Sequence, residues 1–162
     1  MNVSIRKYEK NDSESVNRIW NSIVAEGAAF PQEEELNEIS GPEFFQSQTF
    51  TGVAADGSGT IAGVYILHPN NVGRCGHICN ASYAVADSFR GKGIGELLVR
   101  HCMSQAKKEG FRILQFNAVV SSNLPALALY RKIGFTQLGT IPGGFRSKDG
   151  TYSDIIPHYI LL

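Results

Sequence analysis

Arg90-Gly91-Lys92-Gly93-Ile94-Gly95 sets three glycines between a strand-like run, His77 to Val85, and a helix-like run, Glu96 to Glu109. Glycine has no Cβ, so the backbone there can turn sharply and come close to a ligand. A helix that starts at this point aims its unpaired N–H groups and the positive end of its dipole back at the loop. Arg90 and Lys92 add two cations beside the same spot. The combination is a cradle for phosphate with the backbone as its main donor, and a pyrophosphate is the expected occupant.

Two common phosphate loops do not fit. G-x-G-x-x-G requires a glycine where this chain has Glu96 (counting from Gly91) or Leu98 (counting from Gly93). A P-loop requires Gly-Lys-Ser/Thr after four intervening residues, and that is absent. What fits is R-x-x-G-x-G, read as Arg90, Gly93 and Gly95. That pattern resembles the acyl-coenzyme A loop of the GCN5-related N-acetyltransferases, the GNAT family. Asn123 to Phe135 resembles the family's second signature, N-x-x-A-x-x-x-Y-x-x-x-G-F, through Asn123, Ala126, Tyr130, Gly134 and Phe135. A strand-like run, Ile113 to Val120, separates the two motifs at family spacing.

Around these motifs the rest of the chain reads in order. Val3, Ile5 and Lys7 alternate with Ser4 and Arg6 as a first strand. Asn11 or Asp12 caps a helix with Val16, Ile19, Trp20, Ile23 and Val24 on its apolar face, ended by Gly27. Residues 28–41 read as a loop or short helix, followed by a short helix near Pro42 to Ser47. Strands at Phe50–Ala55 and Thr60–His68 flank the hairpin turn Asp56-Gly57-Ser58-Gly59. After the fourth strand, the glycine loop opens a helix with Ile94, Leu97, Leu98, Cys102 and Ala106 apolar, closed by Gly110. The fifth strand, Ile113–Val120, leads to an Asn123-capped helix that ends at Gly134, and strands near Phe135–Ile141 and Ser153–Leu161 finish the chain.

This order, β-α-α-β-β-β-α-β-α-β-β, is that of the GNAT fold. The resemblance therefore implies an α/β (α+β) GNAT acyl-coenzyme A N-acyltransferase fold. Its centre would be a mixed, mostly antiparallel seven-stranded sheet, splayed between strands 4 and 5 and flanked by about four helices. Residues 1–162 would form a single domain. The resemblance also implies acetyl-coenzyme A as cosubstrate. The phosphates would rest on Arg90, Gly91, Lys92, Gly93, Ile94 and Gly95. The pantetheine arm would lie in the splay, paired with the fourth strand's backbone at Tyr83, Ala84 and Val85 and touched by Asn123 and Ala126.

Composition agrees with an ordinary globular chain, with 43% hydrophobic and 19% charged residues. The zero net charge hides an asymmetry: residues 1–60 carry 4 Lys/Arg against 10 Asp/Glu, and 61–162 carry 11 against 5. The basic half holds the phosphate loop, which suits a polyanionic cofactor but is too mild for nucleic acid. No apolar run of membrane-spanning length and no signal peptide is visible, so no membrane partner is expected. Cys75, Cys79 and Cys102 have no framework spacing, which agrees with a reducing cytoplasm. Cys75 and Cys79 flank His77 without a second pair, so no metal site is expected. A homodimer is expected from how late strands pair in this fold.

Acetyl transfer to an amine needs a neutral amine, a stabilised carbonyl oxygen and a proton for the departing thiolate. Tyr130 matches the tyrosine that in many GNAT relatives protonates the sulfur; packing through Leu127, Tyr130 and Ile133 is its structural alternative. Asn80 and Asn117 each interrupt an apolar strand, where a buried amide requires partners. The segments around them resemble those of fungal acetyltransferases that detoxify proline analogues, in which the matching asparagines contact the amino-acid substrate. Those relatives differ from this chain at Tyr130. Asn80 and Asn117, as catalytic and substrate-binding residues, are joined by Phe30 and by Arg146, which can hold a carboxylate bidentately. His68, His77, His101, His158 and Glu26 are weaker candidates for a base. The expected activity is transfer of an acetyl group to a small-molecule amine, such as an amino acid or analogue. A protein N-terminus or lysine as acceptor, and a non-catalytic acyl-coenzyme A-binding module, remain the alternatives.

Overall fold

Alternating burial along Val3–Lys7 makes the first strand, β1, and a computed structural model describing residues 2–162 sets it at one edge of a seven-stranded sheet. The strands that follow are β2 (Phe50–Asp56), β3 (Ile61–Pro69), β4 (Ile78–Val85) and β5 (Ile113–Phe116). Beyond them come β6 (Thr136–Gln137), β7 (Ile141–Arg146), β8 (Tyr152–Ile155) and β9 (His158–Leu161). The order across the main sheet is β1-β2-β3-β4-β5-β9-β6, while β7 and β8 pair as a separate hairpin. Every pairing in the main sheet is antiparallel except β4 with β5.

That one parallel contact is short. Ile78 pairs with Ile113 and Cys79 with Leu114, and then the two strands part. The fifth strand stops at Phe116 rather than running to Val120: past Leu114 the ladder with β4 is gone, the ladder with β9 ends at Phe116 and His158, and Val120 makes only an isolated bridge to Ile155. The two late strands expected from the sequence are in fact four. Pro142 and Pro157 cannot donate ladder hydrogen bonds, and the chain breaks at Ile156-Pro157 before β9.

Helices cover both faces. On one side, α1 (Ser13–Glu26) buries Val16, Trp20 and Ile23 with Phe45 of α2 (Ser40–Gln46) against Val53, Val64 and Ile66. On the other, α3 (Ile94–Lys108) packs Leu98, Val99 and Cys102 against Tyr65, Cys79 and Leu114. Val99 takes the buried place expected for Leu97, which stays on the exposed edge of that helix. The fourth helix, α4 (Leu124–Ile133), begins where Asn123 Oδ1 accepts from Ala126 N at 3.3 Å. Asp12 is the N-cap residue of α1, but its carboxylate does not cap; it takes Arg6 at 2.7 and 2.8 Å and the Glu9 N–H at 2.8 Å.

Candidate active site

A short 3-10 turn at Asp87–Phe89 carries the chain from β4 into the glycine loop. Gly91 (φ +71°) and Gly93 (φ +81°) are left-handed, the conformation that glycine adopts without strain. Gly93 is also the N-cap of α3. Gly95 is different: it lies within the helix, and a Cβ there would meet only Leu129 Cδ2 at 3.6 Å. Neither backbone conformation nor packing therefore requires glycine at 95. Among the described residues, the backbone N–H groups of 91–96 donate to no backbone or side-chain acceptor in the loop or the first helical turn. Free donors at a helix start and an open approach over Gly95 are what a bound pyrophosphate needs.

The loop's cations are engaged elsewhere. Arg90 is gripped by Glu26 at 2.8 Å and Asp87 at 3.0 Å, while Lys92 Nζ donates to the Ser88 carbonyl at 2.7 Å. Past Cys79, the side of β4 that faces β5 has no partner strand, so backbone from residue 80 to 85 is open along the splay. Ala84 and Val85 can contribute there only through that backbone, whereas Tyr83 also lines the splay. Ala84 is buried against α1, Val85 packs with the α3 side, and the Tyr83 hydroxyl is buried without a partner.

A cavity of about 220 Å³ threads the splay from one sheet face to the other. Asn80, Ser82 and Asn117 line it, with Phe30 from the loop after α1 and Asn123, Ala126 and Tyr130 from the α4 side. Alternation explains the arrangement. Cys79 and Ala81 go into the α3-side core, which turns Asn80 and Ser82 to the α1 side. Asn80 Oδ1 accepts from Ala81 N at 2.8 Å. Asn117 is not the buried strand residue the sequence suggests. It sits one position past β5, exposed, because the strand has already left its neighbour, and its amide is bonded to Asn70.

Tyr130 packs on Phe116 (4.6 Å between centroids), Phe135 (5.3 Å) and His158 (5.7 Å), which fixes the ring. Burial pushes its phenol well above the usual tyrosine range, so the hydroxyl stays protonated at neutral pH. Both readings of this residue are thus physically present: the ring is core, and the residue lines the cavity.

Arg146 lies elsewhere. On β7, not in a connecting loop, it pairs with Glu33 at 2.7 Å and lines a second cavity of about 790 Å³ between that hairpin and the loop after α1. Phe30 and Pro31 line both cavities and so separate them. The candidate bases are not in the wedge. His77 is exposed ahead of β4, beside Arg112 and Leu161. His101 Nδ1 meets Tyr65 OH at 2.9 Å, and His158 is buried with Nδ1–H donating to the Ile156 carbonyl at 2.6 Å. Burial lowers the pKa of both. His68, opposite Asn80 in the β3–β4 register, meets the Pro69 carbonyl, and Glu26 is held by Arg90. Sequence reasoning missed Ser82, although its two-residue spacing from Asn80 on a strand would have found it. It also missed Asn70 and Gln115, which carry no local signal.

Comparison with known proteins agrees with this fold. The model of the acetyltransferase (GNAT) family matches residues 16–135. The chain belongs to the GNAT family. It is, by that membership, an acetyl-coenzyme A-dependent acetyltransferase. It is similar to N-acetyltransferase aca1 of Schizosaccharomyces pombe, 36% identical over 89 residues, which are 55% of this chain and 43% of that protein. It is also similar to the L-methionine sulfoximine/L-methionine sulfone acetyltransferase of Pseudomonas aeruginosa, 27% identical over 88% of this chain and 85% of that one. Among solved structures, a phosphinothricin acetyltransferase from Sinorhizobium meliloti in complex with AcCoA shares the fold at a TM-score of 0.91, with 22% identity over 100% of this chain and 89% of that chain.

Proposed function

We propose that this GNAT acetyltransferase acetylates the amine of a small amino acid or amino-acid analogue held in the β4–β5 wedge. The observation that carries the reading is the cavity itself. It is smaller than the roughly 300–1,000 Å³ of drug-sized ligand sites, and its polar side chains are amides and hydroxyls placed opposite Tyr130. Acetyl-coenzyme A, when bound, supplies the activated acetyl thioester. The backbone N–H groups of 91–96 and the open approach over Gly95 fit its pyrophosphate, and the unpaired edge of β4 fits its arm. Asn80, Ser82 and Asn117 orient the acceptor, and the Tyr130 hydroxyl holds the proton that the departing sulfur takes. No carboxylate or imidazole lines the wedge among the described residues, so the acceptor's ammonium proton leaves to water. The relative that acts on methionine sulfoximine and methionine sulfone supports an amino-acid acceptor.

Thiol release measured over L-methionine sulfoximine, L-methionine sulfone, L-phosphinothricin, proline analogues, polyamines and short peptides tests the reading. Turnover is expected with the amino acids. Turnover confined to peptides or polyamines would overturn it. With an amino-acid acceptor, kcat/KM should climb with pH toward the amine's own pKa, with no inflection in the histidine range; a plateau reached well below the amine's pKa would mean that a side-chain base exists.

A further inference from the structure

Asn117 is held on two sides. Its Nδ2 donates to Asn70 Oδ1 at 2.7 Å, and Asn70 Nδ2 donates back to Asn117 Oδ1 at 3.1 Å. Gln115 Nε2 donates to the same Asn117 oxygen at 3.1 Å. Asn70 follows β3 and Gln115 lies on β5, so the three amides join segments from either side of β4. A carboxamide has two N–H donors and one oxygen with two lone pairs. Here both lone pairs and one N–H of Asn117 are taken, which leaves one N–H. Asn117 is also the member of the trio that lines the wedge cavity.

We propose that Asn70 and Gln115 are positioning residues that lock the Asn117 amide with its remaining N–H available to the acceptor. The wedge thereby selects an amine that carries a hydrogen-bond-accepting oxygen, such as a carboxylate, close to the reacting nitrogen. This rests on the acceptor reading of the wedge. An unclamped surface asparagine would have to be ordered when substrate binds, at an entropic cost that the clamp removes beforehand. The clamp also sets polarity. With its oxygen doubly occupied, Asn117 has little to offer an ammonium group and one donor to offer a carboxylate.

The test uses the full chain, L-methionine sulfoximine as probe and a double-mutant cycle. Asn117→Ala and Asn70→Ala should each raise the acceptor KM by about 10-fold, with kcat changed less than about twofold and coenzyme A affinity unchanged. The double variant should be no worse than Asn117→Ala alone, because Asn70 acts only through Asn117. Losses that multiply in the double variant overturn the assignment, as does a wild type that acetylates simple alkylamines as well as amino acids. A second readout needs no turnover. The Asn117 side-chain amide should give two dispersed ¹H–¹⁵N signals in the wild type, of which the Asn70-bonded proton exchanges slowly; in Asn70→Ala both should move to the positions and fast exchange of an exposed asparagine while backbone amides stay in place. Solvent-averaged Asn117 signals in the wild type would overturn the clamp whatever the activity. Protected signals in a protein that turns over no amino acid would reject the acceptor reading and leave the clamp standing.

Discussion

At Gly95 the fold would accept alanine, since the residue is helical and a Cβ would meet only Leu129 Cδ2 at 3.6 Å. Glycine within a helix costs roughly 0.5–1 kcal/mol relative to alanine. Gly95→Ala should therefore raise the melting temperature of the coenzyme-free protein while weakening coenzyme A binding, by calorimetry, about tenfold or more if the methyl fills the pyrophosphate approach. Gly93→Ala should separate from it. At φ +81° an alanine is strained, at a cost of about 1–2 kcal/mol, so this variant should lose stability first. Equal coenzyme A affinity for wild type and a stably folded Gly95→Ala would remove the cradle from the loop. Tyr130→Phe keeps the ring among Phe116, Phe135 and His158 and removes only the proton. Its kcat should fall by about 10²–10⁴-fold with the acceptor KM level. A kcat within a factor of two of wild type would leave Tyr130 as core alone.

Among the elements, β4 and β5 frame the proposed acceptor site, and they also mark where sequence stopped being legible. Glycine signals, caps and periodicities gave the helices nearly to the residue, because Gly27, Asn123 and Gly134 act locally. The end of β5 was not legible. Ile113 to Val120 is a good strand by composition, and only tertiary events, the divergence from β4 after Leu114 and the end of the β9 ladder at His158, stop it at Phe116. The same divergence moved Asn117 from a buried strand site to an exposed position at the wedge. The start of α1 is similar: Asp12 reads as a cap but is 7% exposed and bound to Arg6 at 2.7 Å. The Arg6 guanidinium holds the Asp12 carboxyl below its ordinary value. Its stabilisation is therefore complete above the unfolded carboxyl pKa of about 3.9 and is lost as pH falls through the lowered folded value. Since Arg6 is partly exposed, Asp12→Asn should cost about 1–2 kcal/mol at pH 7. That difference should shrink below pH 4 in denaturant titrations; one that persists unchanged would point to packing instead of charge.

Across the whole molecule, the acidic first third meets the basic remainder at the phosphate loop, where Glu26 at the end of α1 holds Arg90. Gly27, the next residue, docks the β7–β8 hairpin, with Lys148 N donating to its carbonyl at 3.3 Å. The loop lining both cavities starts from this same junction, so one ion pair ties the glycine loop to the proposed acceptor side. A pyrophosphate that reaches Arg90 must compete with Glu26. Both partners are nearly half exposed, at 47% and 45%, so the competition is mild; such pairs contribute about 0–1 kcal/mol. Glu26→Gln should release Arg90 and tighten coenzyme A by about 2–5-fold at low salt, with the gain fading as ionic strength rises. Arg90→Ala should weaken coenzyme A and make a further Glu26→Gln change silent. If Glu26→Gln weakens coenzyme A instead, Glu26 aligns Arg90 for the phosphates rather than competing with them, and the two residues act as one binding unit.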